Sequence, residues 1–306
     1  MLKAAEYDLL REAVGLAERS ARGKLRLTGA EAAEFLQGQV TNDVEGLAPG
    51  AGCYAALLSH KGKVQLDMRI LRDDDWIWID TEPGFEAALE RTVRTFGIGR
   101  DVRAEDVTGS FSILSLLGPA ARAALEAEPP AEEHAFVQGE HGLYVATDLG
   151  VDVICGAADA DAVKVALGVE PVSDDAAECL RVESGRPRFG IDFDTDTIPE
   201  EAGLNDRAVS FTKGCYVGQE TVARLHYRGK PNRHLRGLRL SEPVPGGSEL
   251  RLGDRVVGRV GSVAVSPAHG PIALALVRRE AAPGDELAAG DSGATAAVVE
   301  PPFRVT

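Results

Sequence analysis

The sequence KGCYVGQE, from Lys213 to Glu220, places one cysteine, Cys215, between Gly214 and Gly218. Glycine lets a backbone turn tightly, because it has no Cβ atom. A thiol near a cation and backbone N–H groups ionises more easily, and the thiolate is the reactive form. The octet therefore favours a turn that presents Cys215, with Lys213 as the nearby cation. A small buried cysteine in an ordinary turn fits the same residues, so the octet by itself leaves both interpretations open.

The octet begins a basic segment in an acidic chain. The net charge of the whole sequence is −15, yet residues 213–239 contain seven Lys and Arg residues against the single acid Glu220. Such a segment indicates a local anionic partner, either a carboxylate or phosphate ligand or a short RNA. A solvated face balanced by acids elsewhere in the fold is an equal alternative. The overall acidity argues against general affinity for DNA or membranes.

Length and cysteine spacing narrow the class of protein. A chain of 306 residues is long enough for two or three domains. No apolar run of about 18 residues predicts a membrane span, and the N-terminus lacks a signal pattern, so we expect a cytoplasmic protein. The cysteines lie far apart, without a C-x-x-C motif or a Cys/His cluster, so no metal site is predicted. Scattered cysteines also indicate a reducing compartment. They are Cys53, Cys155, Cys179 and Cys215.

Hydrophobic periodicity predicts the N-terminal elements. A helix is expected over 7–21, followed by a second helix that Thr28 and Glu31 would begin as a capping box. From Val64 to Leu71 apolar and polar residues alternate, as in a strand with one buried face. Asp67 lies on the polar face of this strand and therefore faces either solvent or a cleft.

Further helices are expected after Pro83 and over 120–127. The helix after Pro83 has an apolar stripe, expected to be buried, of Phe85, Leu89, Val93 and Phe96. The order of strands and helices predicts two α+β units with antiparallel sheets. Beyond Arg233, short strands separated by Gly, Pro and Asp turns predict a small β-barrel. No Gly-rich phosphate-binding motif is present.

The octet and the run VAR-x-x-x-RG (222–229) resemble the YgfZ family of folate-binding proteins, which are relatives of the glycine cleavage T-protein, an aminomethyltransferase. The resemblance covers nearly the whole chain. Its other motifs, which the YgfZ and T-protein groups share, are FLQGQVTNDV (35–44), SHKGKVQLDMRI (59–70), RVESGRPRFGIDFDTDTIPEEAGL (181–204) and GRVGSVAVSPAHGPIALALVR (258–278).

The resemblance implies tandem ferredoxin-like units over residues 1–233, around a central opening, and a C-terminal β-barrel over 234–306. It implies that tetrahydrofolate binds in the opening. It also implies a role in assembling or repairing iron–sulfur client enzymes, including ones that modify tRNA. The alternative is a T-protein-like aminomethyltransferase that passes a one-carbon unit to tetrahydrofolate. Cys215 stands where the T-protein has a phenylalanine-containing loop, which favours the accessory role over the classical enzyme.

The resemblance also implies site residues. Asp67 matches the T-protein aspartate that positions or activates the folate amine, although the T-protein has two adjacent aspartates and this chain has Leu66-Asp67. Cys215, helped by Lys213, would carry redox chemistry or transient cluster contact. Arg224 and Arg228 would attract the glutamate tail of folate or a partner protein. The full expected folate-binding set is Asp67, Arg181, Glu183, Glu201, Tyr216, Gln219, Glu220, Arg224 and Arg228.

Overall fold

The computed structural model describes residues 2–304, whose strands form two five-stranded sheets and one closed barrel. The strands are β1 Gly15–Glu18, β2 Gly23–Thr28, β3 Ala51–Leu58, β4 Val64–Arg72, β5 Ile77–Thr81, β6 Arg103–Asp106, β7 Phe111–Leu117, β8 Phe136–Gly139, β9 Gly142–Thr147, β10 Gly150–Gly156, β11 Arg233–Leu240, β12 Glu249–Leu252, β13 Arg255–Ser266, β14 Gly270–Arg278, β15 Glu286–Ala289 and β16 Ala294–Val299. The helices are α1 Ala4–Glu12, α2 Ala32–Gln39, α3 Glu86–Phe96, α4 Ala160–Leu167, α5 Asp174–Glu183, α6 Asn205–Ala208 and α7 Gln219–Arg228.

The first sheet has the order β3-β4-β5-β2-β6, with antiparallel neighbours. The apolar face predicted for β4 is confirmed, because Leu66 and Met68 are fully buried in the core that also contains Phe35 of α2 and Leu89 of α3. The polar face is buried too, since Asp67 and Arg69 are each only 6% exposed. Successive side chains of a strand point to opposite faces. Asp67 therefore points away from the helices, towards the second sheet.

The second sheet has the order β1-β7-β10-β9-β8. One of its faces packs on α4, with Leu114 and Val153 buried beside Val163. On the opposite face, Ile154 of this sheet joins Trp78 of the first sheet in one apolar cluster. The two sheets thus face each other, and apolar side chains fill only part of the space between them.

The barrel has the order β11-β14-β13-β12-β15-β16. The predicted fold class, tandem α+β units followed by a C-terminal barrel, is confirmed. The barrel packs on α5 through a separate apolar cluster that includes Val182 of α5 and Ile272 of β14. The expected boundary at residue 233 coincides with the first residue of β11. Among residues 2–304, no helix combines the length and the apolar composition needed to cross a membrane.

Two N-terminal expectations are wrong. The first helix ends at Glu12 rather than near residue 21, because Gly15–Glu18 pairs with β7 as a strand. The predicted capping box does not form. The Glu31 side chain instead accepts a hydrogen bond from the backbone N–H of Asp101, at 2.6 Å. In both places a partner distant in sequence replaces the local structure that the pattern favoured.

The later helices also differ from expectation. The helix after Pro83 begins at Glu86, and Phe96 of its predicted stripe is 64% exposed. Residues 120–127 form turns rather than a helix, and the backbone N–H of Ala120 donates to the carbonyl of Ala13. The sequence analysis did not identify α7, which begins directly after Gly218 at the end of the octet.

Gly218 allows a close approach between the octet and the turn that joins β3 to β4. Its φ is +85°, and a Cβ atom there would lie 2.5 Å from the carbonyl oxygen of Ser59. We predict that Gly218→Ala lowers the free energy of unfolding by about 2 kcal/mol or more, because it combines left-handed backbone strain with this clash. Urea denaturation measures the change.

Gly214 is the matched control, since a Cβ atom there would meet nothing within 4 Å. Gly214→Ala should unfold at nearly the same urea concentration as the wild type. Equal stability of the two variants would contradict the packing described for the octet.

Candidate functional site

A cavity of about 560 Å³ lies where the facing side chains of the two sheets become polar. Asp67 and Arg69 of β4 and Asp80 of β5 line it from the first sheet, and Asp152 of β10 lines it from the second sheet. Arg181 of α5 closes another side. The strand alternation places these polar residues opposite each other, so the cavity follows directly from the way the two sheets pack.

Asp67 is buried in this cavity, with 6% of its surface exposed. The hydroxyl of Tyr54 donates a hydrogen bond to Asp67 Oδ2. Burial raises the pKa of the Asp67 carboxyl to about 6, although the Tyr54 hydrogen bond works in the opposite direction. This acid can therefore exchange a proton close to neutral pH.

Arg69 joins the two sheets inside the cavity wall. Its Nε lies 2.7 Å from Asp80 Oδ2, and its Nη1 lies 2.5 Å from Asp152 Oδ2. Arg22 contacts the other oxygen of Asp80, at 2.7 Å. Burial alone would raise the pKa of Asp80, but the guanidinium groups of Arg69 and Arg22 outweigh it and hold that pKa well below its usual range. Asp80 therefore stays ionised over the pH range in which Asp67 gains or loses a proton.

Arg181 is the other member of the expected folate-binding set that lines the cavity. Its Nη2 contacts Glu178 Oε1 and Ser262 Oγ, each at 2.5 Å, and its Nη1 lies 3.2 Å from Asp192 Oδ2. These partners connect α5 to β13 of the barrel. Arg181 thus shapes the cavity while its guanidinium is held by residues of this chain.

Glu183 and Glu201 lie outside the cavity lining. Glu183 accepts hydrogen bonds from the hydroxyls of Tyr7, at 2.9 Å, and Ser266, at 2.5 Å. Glu201 pairs with Arg233 at 2.7 Å. Their expected contact with folate stays a prediction, and the position of the cavity does not support it.

The octet lies on the surface of the first unit. Lys213 Nζ donates to the backbone carbonyls of Gln37, Val40 and Asn42, at 2.6, 2.7 and 2.9 Å. Burial lowers the pKa of Lys213 to about 8. Cys215 is exposed, whereas the other three cysteines are buried. The observed contacts of Lys213 hold the turn, and its expected help to the thiol stays a prediction.

The remaining expected residues also lie outside the cavity lining. Tyr216 is buried in the core of the first unit. Gln219, Glu220, Arg224 and Arg228 belong to α7, where all but the half-buried Gln219 are exposed. Their roles in ligand binding are untested predictions.

The sequence analysis missed several residues that line the cavity, including Tyr54, Arg69 and His134. The alternation in β4 could have identified Arg69, since it shares a face with Asp67. No local signal marks His134, because a loop beyond β7 brings it to the cavity. Among residues 2–304, no group of three or more His, Cys, Asp or Glu side chains is placed to hold a metal ion.

We predict that Asp152→Asn destabilises the fold by about 3 kcal/mol, because Arg69 is then left buried with only part of its compensating charge. Chemical denaturation at pH 7 measures the loss. Asp196→Asn is the control, since it removes only the exposed ion pair with Lys63 and should leave stability unchanged. A loss no larger than that of the control would show that the Arg69 bridge does not hold the sheets together.

Comparisons with known proteins agree with this architecture. Residues 2–146 match the GCVT N-terminal domain family, and residues 233–304 match the glycine cleavage T-protein C-terminal barrel domain family. An aminomethyltransferase of Synechococcus sp. (strain WH7803) is 29% identical over an alignment of 266 residues, and the match covers 77% of this chain and 71% of that protein.

The crystal structure of the glycine cleavage system aminomethyltransferase T from Bartonella henselae superposes with a TM-score of 0.87. The superposition covers 98% of this chain and 89% of the Bartonella chain, at 23% sequence identity. This similarity shows a shared fold. The chain is therefore similar to the glycine cleavage T-protein in its N-terminal region, over residues 2–146, and in its C-terminal barrel, over residues 233–304.

Proposed function

We propose that this protein binds a reduced folate in the central cavity and transfers a one-carbon unit to it, as an enzyme of the aminomethyltransferase type. The observation that carries the proposal is the Asp67 carboxyl, which is buried in the cavity with a pKa of about 6. The name of the Synechococcus relative supports the reaction class. The comparisons favour this function over the accessory role that the octet favours.

The cavity fits a folate in size and chemistry. Its volume of about 560 Å³ is within the range of roughly 300–1,000 Å³ that is usual for small-molecule sites. A pterin ring offers N–H donors and a carbonyl acceptor, while the cavity offers carboxylates such as Asp67 and guanidinium groups such as Arg69. Arg69 Nη2 is buried without a hydrogen-bond partner, which leaves a donor for a ligand.

Asp67 performs the proton transfer in this proposal. The amine nitrogens of the bound folate form two C–N bonds to the one-carbon unit, while its bonds to the amino group and to the lipoyl sulfur break and release ammonia and the thiol. Tyr54 donates to Oδ2 of Asp67 and so fixes the orientation of the carboxyl, leaving Oδ1 to accept a proton. Asp67 is ionised above pH 6, and its pKa near the working pH suits a residue that both takes and returns a proton.

We predict that Asp67→Asn lowers the rate of methylenetetrahydrofolate formation from an aminomethylated lipoyl carrier protein by roughly 100-fold or more, since general acid–base catalysis contributes that much. The wild-type rate should fall as the pH drops through about 6, where Asp67 takes up a proton. Single-turnover assays across pH 5–8 measure both effects. An absence of product with the wild-type protein would overturn the aminomethyltransferase proposal.

The stability of Asp67→Asn provides the control for this assay. The folded-state pKa of Asp67 lies above the usual aspartate value of about 4, so the folded protein binds more protons than the unfolded chain between pH 4 and 6. Stability contributed by this group therefore falls as the pH rises through that window. At pH 7 the variant should be at least as stable as the wild type, because it carries no buried carboxylate charge. Lower stability would contradict the raised pKa.

A second candidate function rests on Cys215. Its thiol is exposed on a turn that Lys213 anchors, away from the cavity lining. This placement supports a YgfZ-type accessory role, in which the thiol takes part in redox chemistry or touches a cluster on iron–sulfur client enzymes, including ones that modify tRNA. The folate cavity would serve both candidate functions.

For this second candidate we predict that Cys215→Ser, expressed in a strain that lacks the endogenous protein, fails to restore the activity of iron–sulfur enzymes. Folate affinity should not change, because Cys215 does not line the cavity. Val217→Ala, at an exposed position two residues away, should restore activity like the wild type. Full restoration by Cys215→Ser would exclude a role of the thiol in this function.

A further inference from the structure

Among residues 2–304, three residues that line the central cavity have buried side-chain nitrogens without a hydrogen-bond partner. They are Arg69, His134 and Arg188, of which Arg188 has its Nε 3.5 Å from Glu82 Oε2. Arg69 uses Nε and Nη1 for its ion pairs, and its Nη2 is buried without a hydrogen bond. The ring of His134 is buried as well, with 8% of the residue exposed, and neither Nδ1 nor Nε2 has a hydrogen-bond partner. Buried groups of this kind are normally satisfied, so each exception needs a reason.

Glu133 does not satisfy His134. Its Oε1 lies 3.5 Å from His134 Nε2, which is longer than a good hydrogen bond to a ring nitrogen. The same oxygen accepts a hydrogen bond from Arg207 Nη2. The neighbouring carboxylate is therefore held by an arginine, and the ring nitrogens of His134 are left without a partner at the wall of the cavity that both residues line.

The backbone of His134 is also strained. It is the one non-glycine residue with a positive φ, +69°, among residues 2–304. The surrounding chain imposes this conformation, because the N–H of His134 donates to Ala146 and the N–H of Ala146 donates to Ala135, each at 2.8 Å. A left-handed conformation is unfavourable for a non-glycine residue, because its Cβ atom comes too close to a backbone carbonyl oxygen. Strain of this kind is typical of positions where a side chain has a task.

The ring of His134 is uncharged at neutral pH. Burial lowers its pKa to about 4, and the nearby guanidinium groups of Arg69 and Arg207 act in the same direction, against Glu133. A neutral imidazole has one N–H donor and one acceptor nitrogen. Arg69 Nη2 offers further N–H donors in the same cavity. The pair therefore suits an acceptor oxygen that receives hydrogen bonds from both groups.

We propose that His134 and Arg69 form a subsite that binds an acceptor oxygen of the ligand, with His134 as a specificity-determining residue. This inference rests on the proposed folate binding. The oxygen is either the carbonyl of the pterin ring or a carboxylate of the glutamate tail, since both accept two N–H hydrogen bonds. The strain at residue 134 is then the structural cost of aiming an imidazole into the cavity.

Isothermal titration tests the subsite with three probes: 5-formyltetrahydrofolate, a tetrahydropterin without the tail, and p-aminobenzoylglutamate. We expect His134→Gly to weaken 5-formyltetrahydrofolate binding by roughly 10-fold, as for loss of a buried hydrogen bond. The same loss should appear with only one of the two fragments, and that fragment identifies the oxygen. His134→Asn, which tolerates a positive φ and keeps a donor, should lose less.

The melting temperature separates this role from a purely structural one. Glycine relieves the strain at φ +69°, so His134→Gly should melt within about 3 °C of the wild type or above it. His60→Asn, at an exposed histidine, is the matched control and should change neither affinity nor melting temperature.

Each outcome decides between the proposals. Wild-type binding that His134→Gly leaves unchanged would overturn the subsite and spare the proposed folate binding. The subsite would also be overturned if both His134 variants melted at a much lower temperature and lost equal affinity for the two fragments. The ring would then have a purely structural role. No binding of any probe to the wild type would overturn the folate proposal together with the subsite.

Discussion

The bridge from Arg69 to Asp80 and Asp152 is the constraint on which the cavity depends. It crosses from the first sheet to the second within a buried interface. Removing such charges from water costs free energy that is recovered only when the geometry is good and further hydrogen bonds are made. Ser115 and Trp78 supply those hydrogen bonds, to Asp152 at 2.6 Å and to Asp80 at 3.0 Å.

The buried acids of the cavity differ in charge state. Arg69 and Arg22 hold the pKa of Asp80 well below its usual range, whereas burial raises the pKa of Asp67 to about 6. Because Arg69 uses Nε and Nη1 in the bridge, its Nη2 remains as a donor for a ligand. The cavity thus combines a titratable acid, Asp67, with an unused donor on the arginine that joins the two sheets.

The structure separates the two sets of residues that the sequence analysis combined. Asp67 lies between the sheets, whereas the octet and α7 lie on the surface of the first unit, with Lys213 bonded to three backbone carbonyls. Glu183 lies neither in the cavity lining nor near the octet. It joins Tyr7 of α1 to Ser266 of β13 and so connects the barrel to the N-terminal region. A carboxylate near a ligand-binding segment in sequence can therefore serve the packing of domains.

The sequence by itself determined the α+β units, the barrel and the apolar face of β4, because strand alternation and turn residues are local signals. It also determined that Asp67 faces away from the helical core. Only the tertiary structure decided that Asp67 faces a cavity, that Arg69 reaches Asp152, and that His134 is held with unpaired ring nitrogens beside them. These facts depend on how two sheets pack face to face, which brings together residues more than 60 positions apart. No periodicity within one segment contains that information.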